Sequence, residues 1–141
     1  MGQKTHPLGF RLGVTQEHKS GWYAKFNQYS TLLQEDDKIR TYLNKLTKSA
    51  SISNVTIHRN GLGNQIQLTI ESGRPGALVG EGGVGIENLL NSIRKFLPAD
   101  RQINVNILEV EKANLNASLL ADLVVKKLEE RVAFRRAIRE A

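Results

Sequence analysis

The residues with the clearest capacity for chemistry form a glycine-rich loop at residues 80–85, GEGGVG. Loops of this kind can bind phosphate groups through backbone amides, because a chain without Cβ atoms can approach an anion closely. The loop fits the G-x-G-x-x-G spacing of dinucleotide sites, and Asp100 follows about twenty residues later. That fingerprint must directly follow a strand, whereas residues 74–76 (RPG) separate these glycines from the preceding strand pattern. A P-loop is excluded as well, because no Lys-Ser/Thr pair follows the glycines.

Other kinds of catalytic chemistry lack the residues that they need. The sequence contains no Cys, which excludes a disulfide framework, a zinc knuckle and a thiol nucleophile. The three histidines, His6, His18 and His58, do not have the spacing of metal ligands. We find no nucleophile–base pair either, so we predict a non-enzymatic protein without a metal ion or an organic cofactor.

Charged residues are unevenly distributed along the 141-residue chain. Lys and Arg number 20 against 14 Asp and Glu, which gives a formal net charge of +6. Residues 1–60 carry nine cations and four anions, residues 61–111 carry four and six, and residues 112–141 carry seven and four. A nucleic-acid partner is therefore expected to contact the two ends of the chain rather than its middle. No apolar run approaches the roughly 18 residues of a membrane span, so we predict no membrane partner.

Hydrophobic periodicity predicts the elements that position the glycine loop. The predicted elements are a helix over 36–48, strands over 53–59 and near 66–70, a short helix before the glycines, a helix over 86–97, a strand over 103–109 and a long helix from about residue 117 onward. The acidic residues 35–37 (EDD) at the start of the first helix suit its dipole. This order predicts an α+β fold with a three-stranded mixed sheet and helices on one face.

A glycine-rich basic segment, residues 1–20, precedes these elements. We predict that it is an irregular, extended arm. Its basic residues are Lys4, His6, Arg11 and Lys19. Four aromatic residues follow the arm: Trp22, Tyr23, Phe26 and Tyr29. Core packing or docking against a partner explains this cluster better than base stacking, because nothing in the sequence places it beside RNA.

The position of the glycines between two short helices resembles the KH domain. In that fold a G-x-x-G turn lets the backbone approach successive phosphates of a single RNA strand. Here the turn runs from Gly80 to Gly83, and the preceding helix and strand indicate the type II order. Glu81 and Glu87 would repel a bound phosphate. Two interpretations therefore stay open, a weak RNA clamp and a structural turn that packs two helices.

The predicted last helix changes character along its length. Its first half carries an apolar stripe made of Leu120, Ala121, Val124, Val125 and Leu128. At 100° per residue, Arg131, Arg135 and Arg139 continue nearly the same side, with Arg136 beside them. A continuous helix over residues 117–141 would be about 38 Å long, which is more than a small sheet covers. We therefore expect this helix to begin another domain and its arginines to face phosphate.

Three segments together resemble one known family. Residues 1–13 (MGQKTHPLGFRLG), 74–83 (RPGALVGEGG) and 128–137 (LEERVAFRRA) are similar, in this order, to the family of the third protein of the small ribosomal subunit in its bacterial and plastid forms. Residues 16–18 (QEH) and 33–40 (LQEDDKIR) resemble cyanobacterial and plastid members. The resemblance extends over the whole chain.

This resemblance implies a non-enzymatic structural constituent of the head of the small subunit. Its implied partners are small-subunit ribosomal RNA, neighbouring head proteins, and messenger RNA at the channel through which it enters. The implied location is the stromal ribosome of a chloroplast, with the bacterial cytoplasm as the alternative. A free KH-type regulator that binds single-stranded RNA is the alternative function.

The resemblance also implies which residues contact RNA. In this family, basic residues on the helix after the Phe-Arg-Arg motif line the messenger channel, and these correspond to Arg135, Arg136 and Arg139. With Arg131 added from the helical periodicity, the full predicted set comprises Lys4, His6 and Arg11 in the arm, Arg74, Gly80, Glu81, Gly82 and Gly83 at the glycine turn, and Arg131, Arg135, Arg136 and Arg139 near the carboxyl end.

The same comparison predicts the division of the chain. Residues 1–30 form the arm and aromatic segment, residues 31–112 the type II KH domain, and residues 113–141 the first helix of an α/β C-terminal domain. Two positions depart from the family pattern. Glu81 stands where the family usually has a basic residue, and Glu130 stands where it often has Arg. We therefore expect weaker phosphate contact at the glycine turn.

Overall fold

The computed structural model describes residues 2–61 and 63–140, and the side chains of Lys48, Ser49 and Glu81 lie outside this description. The strands are β1 (Ser20–Gly21), β2 (Ile52–Arg59), β3 (Gln65–Ser72) and β4 (Gln102–Glu109). The helices are α1 (Pro7–Arg11), α2 (Phe26–Ala50), α3 (Pro75–Val79), α4 (Val84–Arg94), α5 (Ala117–Glu129) and α6 (Phe134–Arg139), with 3-10 turns at Glu81–Gly83 and Ala113–Leu115. Within the described ranges, no helix is both long and apolar enough to cross a membrane.

The strands form one mixed sheet in the order β1-β2-β3-β4. Strand β2 pairs antiparallel with β3, and β3 pairs parallel with β4 along all eight residues. In β3, Leu68 and Ile70 are fully buried while Gln65 and Gln67 are exposed, as the period of two requires. The buried face packs against one layer of helices through Ile39, Leu43, Leu89 and Ile93. The prediction of a mixed sheet with helices on one face is confirmed for β2, β3 and β4.

The sheet has one strand more than the three predicted. Strand β1 pairs parallel with β2, with Ser20 opposite Ile57. Arg40 of α2 fixes this segment, because its guanidinium donates to the Lys19 carbonyl at 2.7 Å and to the Val55 carbonyl at 2.8 Å. A two-residue strand held by a distant arginine has no periodic pattern, so hydrophobic alternation could not predict it.

The prediction of an extended amino-terminal arm is wrong for residues 7–11, which form helix α1. Pro7 occupies the first turn, where its fixed φ and missing N–H carry little cost. The His6 Nδ1 accepts a hydrogen bond from the Leu8 N–H at 3.2 Å and caps the helix. The helix buries none of its own residues, so the basic segment projects from the body of the domain.

Helix α2 begins at Phe26, well before the predicted start at residue 36. Glu35 and Asp36 therefore lie in its middle, where both are buried, and the interpretation of these acids as dipole charges is wrong. Arg59, whose side chain is fully buried, donates to Glu35 at 2.7 Å and to Asp36 at 3.0 Å. Arg101 donates to the second oxygen of Glu35 at 3.1 Å. We call these four residues the buried ion cluster.

The prediction of one continuous last helix is also wrong, because the helix is interrupted between α5, which ends at Glu129, and α6, which begins at Phe134. Arg131 has a left-handed φ of 61°, and the N–H of Val132 returns to the Lys127 carbonyl. The break lets α6 fold back, so that Ala137 is fully buried and Lys127 donates to Glu140 at 3.0 Å. Arg131 therefore does not share one helix side with Arg135 and Arg139.

Candidate nucleic-acid interface

The glycine turn joins α3 to α4 through a backbone that requires glycine. Gly80, Gly82 and Gly83 have φ values of 66°, 63° and 86°, a region that side chains rarely allow. At Gly85, in the first turn of α4, an added Cβ would lie 2.7 Å from the Val79 carbonyl oxygen. Close approach of α3 and α4 therefore depends on the absence of a side chain there. The backbone angles and the helix packing therefore explain why glycine occupies these positions, without any contact to RNA.

The charges around the glycine turn do not favour a phosphate. Glu87 lies exposed in the first turn of α4, beside the helix N-terminus that would otherwise attract an anion. The side chain of Glu81 lies outside the described residues. Arg74 caps the far end of α3, about 8 Å of helix away from the turn. Its own backbone N–H donates to the Ser72 hydroxyl at 3.0 Å.

The arginines near the carboxyl end lie on a short exposed helix. Arg135 and Arg139 are four residues apart and share one side of α6. Arg136 points elsewhere and donates to Glu140 at 2.7 Å, and Arg135 lies over the ring of Phe134 at 5.8 Å. All four predicted arginines, including Arg131 in the break, are exposed.

The contacts of Glu140 bear on its protonation. Its hydrogen bond with Arg136, followed by that with Lys127, lowers the pKa of the Glu140 carboxyl. The same bond raises the pKa of Arg136. The Arg136 guanidinium is thus permanently charged but already occupied, and an RNA phosphate would compete with Glu140 for it. Arg135 and Arg139 make no ion pair in the described part of the chain, so they are more available.

The predicted arm residues surround α1. Lys4 is exposed, and the ring of His6 is used as a helix cap. Arg11 donates to the Pro7 carbonyl at 3.1 Å, on its own helix. The predicted RNA-binding residues therefore fall into three groups, around α1, around α3 and around α6. Over residues 2–61 and 63–140, no hydrogen bond or ion pair joins one group to another.

Sequence analysis missed the structural residues that hold these groups in place. Arg59 and Arg101 received no role from the sequence, yet both belong to the buried ion cluster. The only signal in the sequence was the position of Arg59 at the end of a predicted strand. Its partners Glu35 and Asp36 are more than twenty residues away in the chain, so spacing alone could not identify them. The aromatic cluster was identified from the sequence, but its members differ in burial. Trp22 is half-buried and donates to Asp36 at 2.7 Å, while Tyr23 and Phe26 are exposed.

Comparison with known proteins matches residues 38–115 to the KH domain. The small ribosomal subunit protein uS3c of the diatom Thalassiosira pseudonana is 71% identical over the whole chain, which spans 66% of that relative. The protein uS3c of the diatom Phaeodactylum tricornutum is 69% identical over 88% of the chain. The protein uS3 of the cyanobacterium Thermosynechococcus vestitus is 52% identical over the whole chain. In each of these two comparisons the matched part covers 58% of the relative's length. The chain thus spans less than two thirds of the length of these relatives.

The names of these relatives decide between several expectations. They describe ribosomal proteins rather than enzymes, which confirms the predicted non-enzymatic class. The diatom relatives carry the chloroplast-type name and are more similar than the cyanobacterial ones, which confirms the plastid type over the bacterial alternative. The chain therefore contains a KH domain and belongs to the uS3 family of small ribosomal subunit proteins, in its chloroplast type.

Proposed function

We propose that the chain is a structural constituent of the small ribosomal subunit of a chloroplast, where it binds ribosomal RNA. The observation that carries this proposal is the 71% identity over the whole chain to a uS3c protein. The element order α2-β2-β3-α3-α4-β4, with β2 antiparallel to β3 and β3 parallel to β4, supports the finer assignment of a type II KH domain.

The proposed mechanism is electrostatic anchoring by the two ends of the chain. The basic groups around α1 and α6 are exposed and project from the KH domain, while the glycine turn carries Glu81 and Glu87. We assign Arg135, Arg136 and Arg139 to the lining of the channel through which messenger RNA enters. A guanidinium on a short rigid helix can hold a single-strand phosphate and oppose its return to a duplex.

We also propose the division at residues 1–30, 31–112 and 113–141, the last part beginning a second domain. Phe134 and Ile138 on α6 are 62% and 65% exposed, as expected of a surface that another domain covers. Helix α5 contains no fully buried residue. Both helices thus have apolar surface beyond what the KH domain uses.

The charge contribution of α6 is testable in translation. Arg135→Ala combined with Arg136→Ala, in the full-length protein, should slow translation of a structured messenger at least threefold more than that of an unstructured one. Arg94→Ala combined with Lys95→Ala removes the same charge from α4 and its end, and should slow both messengers equally or not at all. Equal slowing of both messengers by the α6 variant would contradict the channel assignment.

The alternative function, a free KH regulator, predicts a different response at the glycine turn. If the turn binds RNA, Glu81→Lys should raise the affinity for single-stranded RNA by removing a repulsive carboxylate. Under the ribosomal proposal, affinity for small-subunit ribosomal RNA depends mainly on the ends and changes less than twofold. Filter binding of the chain to both RNAs at two salt concentrations separates the two functions.

A further inference from the structure

The beginning of α2 carries an exposed apolar surface that the proposed RNA contacts do not use. We call it the aromatic face, and it consists of Tyr23, Phe26, Tyr29 and Leu33. Their side chains are 82%, 95%, 50% and 52% exposed. Phe26, Tyr29 and Leu33 follow the spacing of one helix side. All residues from 26 to 31 are exposed, so this end of α2 extends beyond the domain core.

The buried ion cluster orders one member of the aromatic face, Tyr29, through Trp22. The Trp22 indole N–H donates to Asp36 at 2.7 Å, and the Arg59 guanidinium lies 6.0 Å from the centre of the Trp22 ring. Tyr29 packs against Trp22 with ring centroids 5.1 Å apart. Because Tyr29 is already ordered by this contact, its side chain loses little conformational entropy when the face binds a partner.

The size of the aromatic face sets what can cover it. With 150–250 Å² for each fully exposed aromatic side chain, its three rings present about 450 Å². This is within the range of the largest patches on monomers, which are often functional. A stable interface buries about 800 Å² on each partner, so the face supplies about half of the area that this chain would contribute to one. It suits the apolar centre of a contact with a larger partner.

The charges beside the aromatic face distinguish a protein partner from RNA. Residues 26–37 contain no Lys or Arg, and Lys25 adjoins the face only at its start. Exposed Lys38 lies about 120° around the helix from Phe26, off the aromatic face. Asp37 is exposed and lies three helical turns from Phe26 on the same side. Single-stranded RNA sites combine stacking rings with cations along the backbone, and that second component is missing. A symmetric contact between two copies would bring each Asp37 toward a surface that also lacks cations.

We propose that the aromatic face docks a neighbouring protein of the small ribosomal subunit, one that presents an apolar patch bordered by Lys or Arg. This inference rests on the proposed function. The partner's apolar side chains cover Phe26 and Tyr29, and its cations face Asp37. The uncharged start of α2 is then a protein contact within an otherwise basic amino-terminal half.

Photo-crosslinking in assembled subunits tests this docking. The full-length protein carries p-benzoylphenylalanine in place of Phe26, and a matched variant carries it in place of exposed Thr31, about 140° around the helix. We expect Phe26 to crosslink to one defined peptide of another subunit protein, at least fivefold more than Thr31. Crosslinks to RNA, to a second copy or within the same chain, or equal yields at both positions, would overturn the inference. Failure of both labelled proteins to sediment with small subunits would overturn the proposed function itself.

A second variant keeps the test independent of the crosslinker. Phe26 is almost fully exposed, so Phe26→Ser should leave the thermal unfolding temperature of the protein unchanged. Retention of the variant in salt-washed small subunits should fall at least threefold, whereas Thr31→Ala should be retained like the unchanged protein. Full retention of Phe26→Ser would contradict docking at this face.

Discussion

Arg59 shows how a single residue can determine the frame of this domain. A charge removed from water is costly unless it is paired and hydrogen-bonded. The Arg59 side chain has no exposed surface, and it pairs with both Glu35 and Asp36. Through Asp36 it also positions Trp22. The end of β2, the middle of α2 and the segment before α2 therefore share one set of contacts.

Arg59→Ala should destabilise the protein by about 3–5 kcal/mol, because it leaves buried Asp36 without a counter-charge and leaves Glu35 paired with Arg101 alone. Urea denaturation measures the free energy of unfolding directly. Arg94→Ala, which removes an exposed cation from α4, is the control and should change it by less than about 0.5 kcal/mol. A loss below about 1 kcal/mol for Arg59→Ala would show that the cluster is not needed.

Two helical glycines should respond to Ala in opposite directions. At Gly85 an added Cβ would collide with the carbonyl oxygens of Leu78 and Val79, so Gly85→Ala should destabilise by about 2 kcal/mol. At Gly76, in α3, an added Cβ meets nothing, and Gly76→Ala should be neutral or stabilise by up to about 1 kcal/mol. Thermal unfolding of both variants compares them, and equal effects would contradict the close approach of α3 to α4.

At the scale of elements, the pair α5–α6 depends on contacts that bring two helices together across a break. Ala137 is buried, and Glu140 accepts hydrogen bonds from both Arg136 and Lys127. The folded-state pKa of Glu140 is lowered chiefly by the bond with Arg136 at the end of α6 and then by the bond with Lys127 of α5. The ionised carboxyl therefore stabilises α6 and its contact with α5 above the ordinary value of 4.5. The contribution is lost as the pH falls through the lowered value.

A carbon-detected NMR titration of the Glu140 carboxyl tests this contact. The midpoint should lie below 4.5, and Arg136→Gln should move it toward 4.5 more than Lys127→Gln does, because the bond with Arg136 has the larger effect. The amide of Ala137 should exchange faster below the midpoint as α6 loosens. A midpoint at or above 4.5 in the unchanged protein would mean that Glu140 does not hold α6.

The elements differ in how far sequence could predict them, for physical reasons. Strands β2, β3 and β4 and helix α4 were predicted because each buries one face of its own periodic pattern. Strand β1 escaped prediction because Arg40, distant in sequence, fixes it. The start of α2 was missed since its first residues are exposed and have no buried stripe. The break after α5 contains no Gly or Pro, so no residue type in this segment marks it in the sequence.

In the candidate RNA-binding site, too, some features could be predicted from the sequence and others could not. The glycine turn was recognisable, because only glycine tolerates its backbone angles, and the charge pattern pointed to the chain ends. The sequence could not show which of the predicted RNA-binding side chains already have partners within the protein. His6, Arg11 and Arg136 each make a hydrogen bond to another residue of the chain. Side-chain partners of this kind depend on local geometry rather than on residue type.

At the scale of the whole molecule, the fold separates two kinds of surface. Residues 1–60 and 112–141 carry more bases than acids, nine against four and seven against four, while residues 61–111 carry more acids than bases. We propose that the KH domain serves chiefly as a scaffold for the basic groups around α1 and α6. The aromatic face adds a third, uncharged contact surface. This arrangement suits a protein fixed at several points within a large RNA–protein particle.

Sedimentation of the full-length protein in a chloroplast lysate tests the central claim most directly. We predict that most of it migrates with small ribosomal subunits through a density gradient and stays with them after a moderate salt wash. Neutralising one end, with Lys4→Gln and Arg11→Gln, should lower the salt concentration that releases it, because fewer phosphates are contacted. Recovery of most of the unchanged protein at the top of the gradient, free of ribosomal RNA, would contradict the account.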